Sequence, residues 1–296
     1  MISIATYNIH YGIGIDGRCD LGRVVDAVRG ADIIALQEVE SHWDRSGNIE
    51  QPAIIASLLP QHGAAWGPTV DVLKRADDGA ASGAHVRRQF GNMILSRFPI
   101  LSIRNHLLPR RDLATSLDLQ RGALEVVVET PIGLLRVYCI HLCHASEIQR
   151  GIQVRHILDL DAHARREGPV ICGTHASEPS WSAEPGPDYM PADALLLGDF
   201  NFQPTSEPYA MLVAGEPRPR HDGFVDAWVR GRGEPPPRGD ASSGATRYDS
   251  FDAKTGRRID YCFASPELAD RIASAEVLAD AAGSDHQPLI VTLRTD

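Results

Sequence analysis

Short apolar runs bounded by turn residues recur along the chain, and their length and β-branched content read as strands. They fall at 2–9, 32–39, 91–96, 122–130, 134–142, 169–172, 194–200, 258–264, 272–278 and 287–294. The runs 122–130 and 134–142 meet across "TPIG", which predicts a hairpin and hence a sheet at least partly antiparallel. Helical patterning is rarer. Residues 21–29 follow Asp20 as N-cap and stop at Gly30, and Pro52 opens a second helix over 52–59. The longest helix is expected at 147–166. Ser146 and Gln149 there form a capping box, and Ile148, Ile152, Val154, Ile157 and Leu158 make an apolar stripe. About ten strands with three or four helices predict one α/β domain over 1–296, a sandwich of two sheets with helices outside.

Three stretches lack periodicity: 74–88, 173–192 and 230–247. Loops this long are either functional or tolerated insertions. The second carries more weight because it leads straight into the strand "ALLLGDFN".

The composition, 43% hydrophobic and 23% charged, is that of an ordinary soluble globular protein. A net charge of −10 argues against a general polyanion binder but allows a local basic face. Only Lys74 and Lys254 are lysines, so nearly all positive charge is arginine, which reads first as compositional bias. Five scattered cysteines with no C-x-x-C pair fit a reducing compartment. The first residues already follow a strand pattern, not a signal peptide, and no run approaches the ~18 apolar residues of a membrane helix. The expectation is a soluble, cytoplasmic protein.

Several apolar runs end in an acid, an amide or an imidazole. "ATYNIH" places Asn8 and His10 on one strand face, and "DIIALQEVE" offers Gln37 and Glu38 after buried positions. "RVYCIHLCH" holds His141, "LLLGDFN" ends in Asp199 and Asn201, "RRIDYCFA" holds Asp260, and "GSDHQPLIV" holds Asp285 and His286. Singly, each reads as a solvated strand end or a turn cap. Together they suggest side chains converging on one cleft held by a rigid scaffold. Carboxylate and amide oxygens suit a hard cation such as Mg²⁺, and imidazoles beside carboxylates suit proton transfer and charge stabilisation. Such a set fits hydrolysis of a phosphate ester.

"TYNIHYG", "LQEVE", "FGNMILSRFPI", "VYCIHL", "LLLGDFN", "RIDYCF" and "SDHQPL" occur in the order and rough spacing of the endonuclease/exonuclease/phosphatase superfamily. The chain resembles these metal-dependent phosphohydrolases from residue 3 to residue 294. The resemblance implies a four-layer α/β/β/α sandwich of two mixed, largely antiparallel sheets, like that of pancreatic deoxyribonuclease, and Mg²⁺ or Mn²⁺ as cofactor. It implies Glu38 as the primary metal ligand, Asn8 as the amide shaping the metal and water site, and Asp285 as a second carboxylate near the metal. Asp199 would orient or deprotonate the attacking water, and Asn201 would hold Asp199 and a phosphate oxygen. His286 would contact the scissile phosphate, with Asp260 fixing its tautomer. His141 would stabilise the transition state or protonate the leaving group, and Asn92 occupies a polar position of the "GN-x-ILSR" strand.

Two departures stand out. His10 sits where some nucleases of the superfamily carry a metal-binding acid. The stretch 173–192 separates "PVICG" from "ALLLGDFN", and is expected to begin or end near the cleft and to form a wall or lid. The arginines at 87–88 and 110–111 either bind a second phosphate or form a solvated face. The expected activity is a phosphodiesterase acting on a nucleic acid, a lipid head group or a small phosphoester. The alternatives are a phosphomonoesterase of the same fold and a catalytically silent phosphate-binding scaffold.

Overall fold

Strands that are apolar on both faces need a cover on each side. The computed structural model describes residues 1–75, 85–111, 116–184, 186, 189–214, 223–232, 244–251 and 255–296, and it provides that cover in four layers. One sheet holds β1 (Ile2–Asn8), β2 (Ile33–Ser41), β3 (Gly63–Leu73), β4 (Arg87–Ser96), β13 (Ile272–Val277) and β14 (Leu289–Leu293), in the order β13-β14-β1-β2-β4-β3. The other holds β5 (Ile100–Leu107), β6 (Gly122–Thr130), β7 (Gly133–His141), β8 (Ala194–Asp199), β9 (Val225–Asp226) and β12 (Asp260–Ala264), in the order β5-β6-β7-β8-β12-β9. A separate hairpin pairs β10 (Arg247–Ser250) with β11 (Thr255–Arg257). The β1–β2 and β7–β8 pairs are parallel and the other described pairs are antiparallel.

The inner faces meet in one core, with Ile4, Ile33 and Ile94 against Val126, Val137 and Leu197. Outside the first sheet lie α1 (Leu21–Val28) and α2 (Gln51–Leu58), packing Val24, Val25 and Ile55 on Ala5, Ile34 and Leu36. Outside the second lie α3 (Glu147–Glu167) and α4 (Glu207–Ala214), packing Val154, Ile157 and Leu212 on Tyr138, Ile140 and Leu196. A short α5 (Ala227–Gly231) adds Ala227 and Trp228 to the inner core. This is the expected α/β/β/α sandwich.

Several local expectations differ. Residues 169–172 form no strand, and Val170 and Ile171 are exposed. The run opens with Pro169, which has no N–H to give a ladder, and its side chains meet solvent instead of a second layer. β3 and β5 were not expected. β3 carries Gly63, Gly67 and Pro68, which weaken a strand pattern but are tolerated at a sheet edge. At α3, Ser146 Oγ accepts from Gln149 N at 3.3 Å. The Gln149 side chain does not return to the cap. It accepts from Arg111 N and donates to Asp118, pinning the segment before β6. Ile148 is 74% exposed, so the apolar stripe begins only at Val154. Of the three long loops, 76–84, 233–243 and residues 185, 187 and 188 lie outside the described residues.

The described residues of 173–192 do not form the expected wall or lid of the cleft. It joins the far end of α3 to the start of β8, whose other end carries Asp199. Arg136, near the start of β7, donates from Nε to Pro191 O at 2.8 Å, and Met190 is buried against Val127 and Ala164. No described residue of the stretch lines the cleft at the opposite end of the strands.

Gly198 is required where β8 passes β7. It has φ +148°, and a Cβ there would lie 1.8 Å from Ile140 O. Gly198→Ala is expected to destabilise the fold by at least about 3 kcal/mol, read as a lower urea midpoint with an unchanged slope.

Candidate active site

Strand register builds the site. His141 lies opposite Asp199 in the parallel β7–β8 pair, and Asp260 lies opposite Asp199 in the antiparallel β8–β12 pair. Three polar residues therefore form one row across the end of the second sheet. The first sheet brings Asn8, the last residue of β1, against this row. Its Nδ2 donates to Glu38 Oε1 at 3.1 Å and to Asp199 Oδ2 at 3.0 Å. Glu38 reaches the cleft through a left-handed φ of 61°, where the β2–β4 register breaks between Leu36 and Val39. Its neighbour Gln37 turns into the core and donates to Thr6 Oγ1 and Cys139 Sγ.

The turn before β14 closes the far wall. Ser284 Oγ donates to Asn8 O at 2.8 Å and accepts from His286 N at 3.1 Å. This sets His286 Nδ1 2.8 Å from Asp260 Oδ2 and His286 Nε2 3.9 Å from Asp199 Oδ2. Asn201, at φ 52°, donates its backbone N–H to Asp199 Oδ1 at 2.8 Å and its side-chain amide to Leu142 O at 3.1 Å. His141 Nε2 stands 3.5 Å from Asp199 Oδ2 and 3.8 Å from Glu38 Oε1. His10 Nδ1 stands 3.7 Å from Asp285 Oδ1.

Burial and neighbouring charge separate the titrating groups. Asp199 is raised to about 7, by burial first and by the Asp260 carboxylate second. Burial alone would push His286 down, but Asp260, by charge and by hydrogen bond, raises it to about 9 with help from Asp199 and Asp285. His141 is held well below its usual value by burial, then by the adjacent Arg121 guanidinium. One imidazole is thus charged and the other neutral at the same cleft.

The cleft encloses about 410 Å³ between these residues, with Tyr11, Phe90, Leu117 and Leu119 also on its walls. The Endonuclease/Exonuclease/phosphatase family model matches residues 5–286. The chain belongs to that family. Phosphoester hydrolysis is the activity general to its members. An endonuclease/exonuclease/phosphatase from Beutenbergia cavernae is 23% identical, with a TM-score of 0.68 over 99% of this chain and 71% of that one. A mannosyl-6-phosphatase from Bacteroides thetaiotaomicron is 17% identical, with a TM-score of 0.58 over 99% of this chain and 100% of that one. A 3′-5′ exonuclease from Neisseria meningitidis is 17% identical, with a TM-score of 0.56 over 99% of each chain. At these identities the structures share the fold. No curated protein sequence matches the chain.

Family members are typically dependent on divalent metal, and the donor set here fits one. Glu38 Oε2, Asp260 Oδ1 and Asp285 Oδ1 are buried and accept no hydrogen bond. Glu38, His141 and Asp199, and again Asp199, Asp260 and His286, each offer ligand atoms within 4.8 Å of one another. Oxygen-rich clusters of this kind suit Mg²⁺ or Mn²⁺.

All eight residues expected at the site, Asn8, Glu38, His141, Asp199, Asn201, Asp260, Asp285 and His286, converge on this end of the sandwich. Asn92 does not line the cleft. It donates to Gly122 O at 3.0 Å and Cys139 O at 2.9 Å, tying one sheet to the other beneath His141. The arginines at 87–88 and 110–111 are also absent from the cleft walls. Arg87 pairs with Asp71, Arg88 stacks on Trp43, and Arg110 pairs with Asp118. The cations in the cleft are others. Arg121 is 4% exposed and donates to His141 and to His144 Nδ1, the latter at 2.9 Å. Arg247 and Arg257 line the same wall as Asp285. Arg121 sits at the start of a strand, where sequence alone reads a solvated residue. "HLCH" was the available signal for His144.

Because the folded protein holds His286 above its unperturbed 6.5, the Asp260–His286 pair contributes stability that is complete below about pH 6.5 and lost as pH rises through about 9. Asp260→Asn in metal-free protein is expected to lower the His286 titration, followed by imidazole NMR, because burial is then opposed only by the smaller pull of Asp199 and Asp285.

Proposed function

We propose that this family member is a Mg²⁺- or Mn²⁺-dependent phosphoesterase acting on a phosphodiester. The observation that carries the reading is the Asn8 amide joined to both Glu38 and Asp199, with a charged His286 and a neutral His141 facing the same carboxylates. Glu38 and Asp285, with Asn8 beside them, would hold the cation, which supplies withdrawal of charge from the phosphoryl oxygens. Asp199 accepts a proton from water as the water oxygen forms its bond to phosphorus. Asn201 fixes Asp199 Oδ1 and leaves Oδ2 toward the cleft. His286, anchored at Nδ1 by Asp260, presents its Nε2–H to the phosphate and can return a proton to the leaving oxygen as the ester bond breaks. His141, held neutral, donates a hydrogen bond to the developing charge. Tyr11, Phe90, Arg247 and Arg257 line the same cleft, whose volume of about 410 Å³ favours a substrate larger than a lone phosphate. The fold alone does not separate diesterase from monoesterase, since a phosphatase and an exonuclease both share it.

The test is hydrolysis of bis-p-nitrophenyl phosphate and p-nitrophenyl phosphate with Mg²⁺, Mn²⁺ or EDTA. Metal-dependent diester cleavage is expected, falling ~10²–10⁴-fold in Asp199→Asn. Cleavage unaffected by EDTA or by that substitution would overturn the reading, and preference for the monoester would make the protein a phosphomonoesterase.

A further inference from the structure

The β10–β11 hairpin sets two guanidinium groups side by side on the cleft wall. Arg247 and Arg257 are cross-strand partners in the antiparallel register, so their side chains leave the same face. Like charges placed directly opposite one another destabilise a strand pair. One carboxylate sits between them: Asp249, 3.7 Å from Arg247 Nη1 and 3.1 Å from Arg257 Nη2, is itself 58% exposed. Arg247 also meets Asp285 Oδ2 at 3.1 Å. Arg257 has no second carboxylate among the described residues, and its Nε is buried with no partner. Arg257 thus shares its one described carboxylate with Arg247, and both arginines line the cleft.

The hairpin is also fixed in place. Arg247 forms a backbone bridge to His286, Tyr248 N donates to Asp285 O at 3.1 Å, and Gln287 N donates to Thr246 O at 2.6 Å. The Arg247 backbone is therefore one strand spacing, about 5 Å, from that of His286, whose imidazole is assigned above to the scissile phosphate. Guanidinium forks match tetrahedral oxyanions in a bidentate manner.

We propose that Arg247 and Arg257 form a subsite for a second phosphate of the substrate, one group away from the scissile phosphate. The proposal rests on the phosphoesterase reading and narrows its substrate to a small phosphoester bearing two phosphate groups. The net charge of −10 opposes the approach of a long polyanion. That favours a small bisphosphorylated molecule over a polynucleotide, whose binding draws on many backbone contacts.

The test compares propane-1,3-bisphosphonate with propylphosphonate, neither hydrolysable, by calorimetry with and without Mg²⁺. The wild type is expected to bind the bisphosphonate about tenfold or more tightly than the monophosphonate. Arg257→Gln is expected to erase that preference while leaving monophosphonate affinity unchanged, and Arg257→Lys to restore part of it. Equal affinities in the wild type, including no binding of either, overturn the subsite. A preference that survives Arg257→Gln overturns the residue assignment. Tighter binding of a short single-stranded oligonucleotide than of the bisphosphonate, lost in Arg257→Gln, overturns the small-molecule class. Nitrophenyl ester hydrolysis, measured in parallel, distinguishes the failures: intact hydrolysis with no bisphosphonate preference removes the subsite alone.

Discussion

Three carboxylates line one cleft with a fourth, Asp260, buried behind it, and like charges that close repel strongly once water is thinned out. The Asn8 amide is the contact that makes the arrangement tenable. One nitrogen donates to Glu38 and to Asp199, and these belong to different sheets. The amide thus partly neutralises two acids and also joins the two sheets at the working end of the sandwich. Asn92 repeats the joining role beneath, through two backbone carbonyls of the opposite sheet. Without cross-sheet polar ties, a purely apolar interface could slide by small amounts, since hydrophobic packing is non-directional. Positioning of reacting groups demands tighter tolerance than that.

The local backbone bears part of the cost. Glu38, His10, Tyr11 and Asn201 all adopt left-handed φ values, and all sit at or beside the cleft. Each such conformation costs about 1–3 kcal/mol. The surrounding core of Ile4, Ile33, Val137 and Leu197 provides the rigidity that holds them. Stability is concentrated mid-strand, and strain is concentrated at one set of strand ends.

Much of the site was legible because the chemistry sits where apolar patterning stops. A buried leucine run ending in Asp199, or a β-branched run ending in His141, conflicts with the local pattern, and such conflicts mark functional positions. The pairing that makes a row of His141, Asp199 and Asp260 was not legible, because register between strands distant in sequence is a tertiary property. Arg121 was missed because an arginine before a strand looks solvated, whereas packing buries it between two imidazoles. Arg87 and Arg110 were suspected because doublets draw attention, yet each has a local acid. Edge strands β3 and β5 escaped because an edge tolerates the glycine, proline and polar residues that a central strand excludes. The stretch before β8 was misplaced because sequence adjacency to Asp199 says nothing about which end of the strand it enters.

That last geometry separates the molecule into two poles. β8 spans six residues from Ala194 to Asp199, so the chemistry lies about 17 Å from the point where the preceding stretch enters. Tyr189 is exposed beside this anchor, where the segment holds to the body through Met190 and the carbonyl of Pro191. The pole is a natural attachment point. An affinity handle or a surface linker placed near Tyr189 would leave the mouth of the cleft facing outward, so that an immobilised preparation presents every molecule to its substrate in the same orientation.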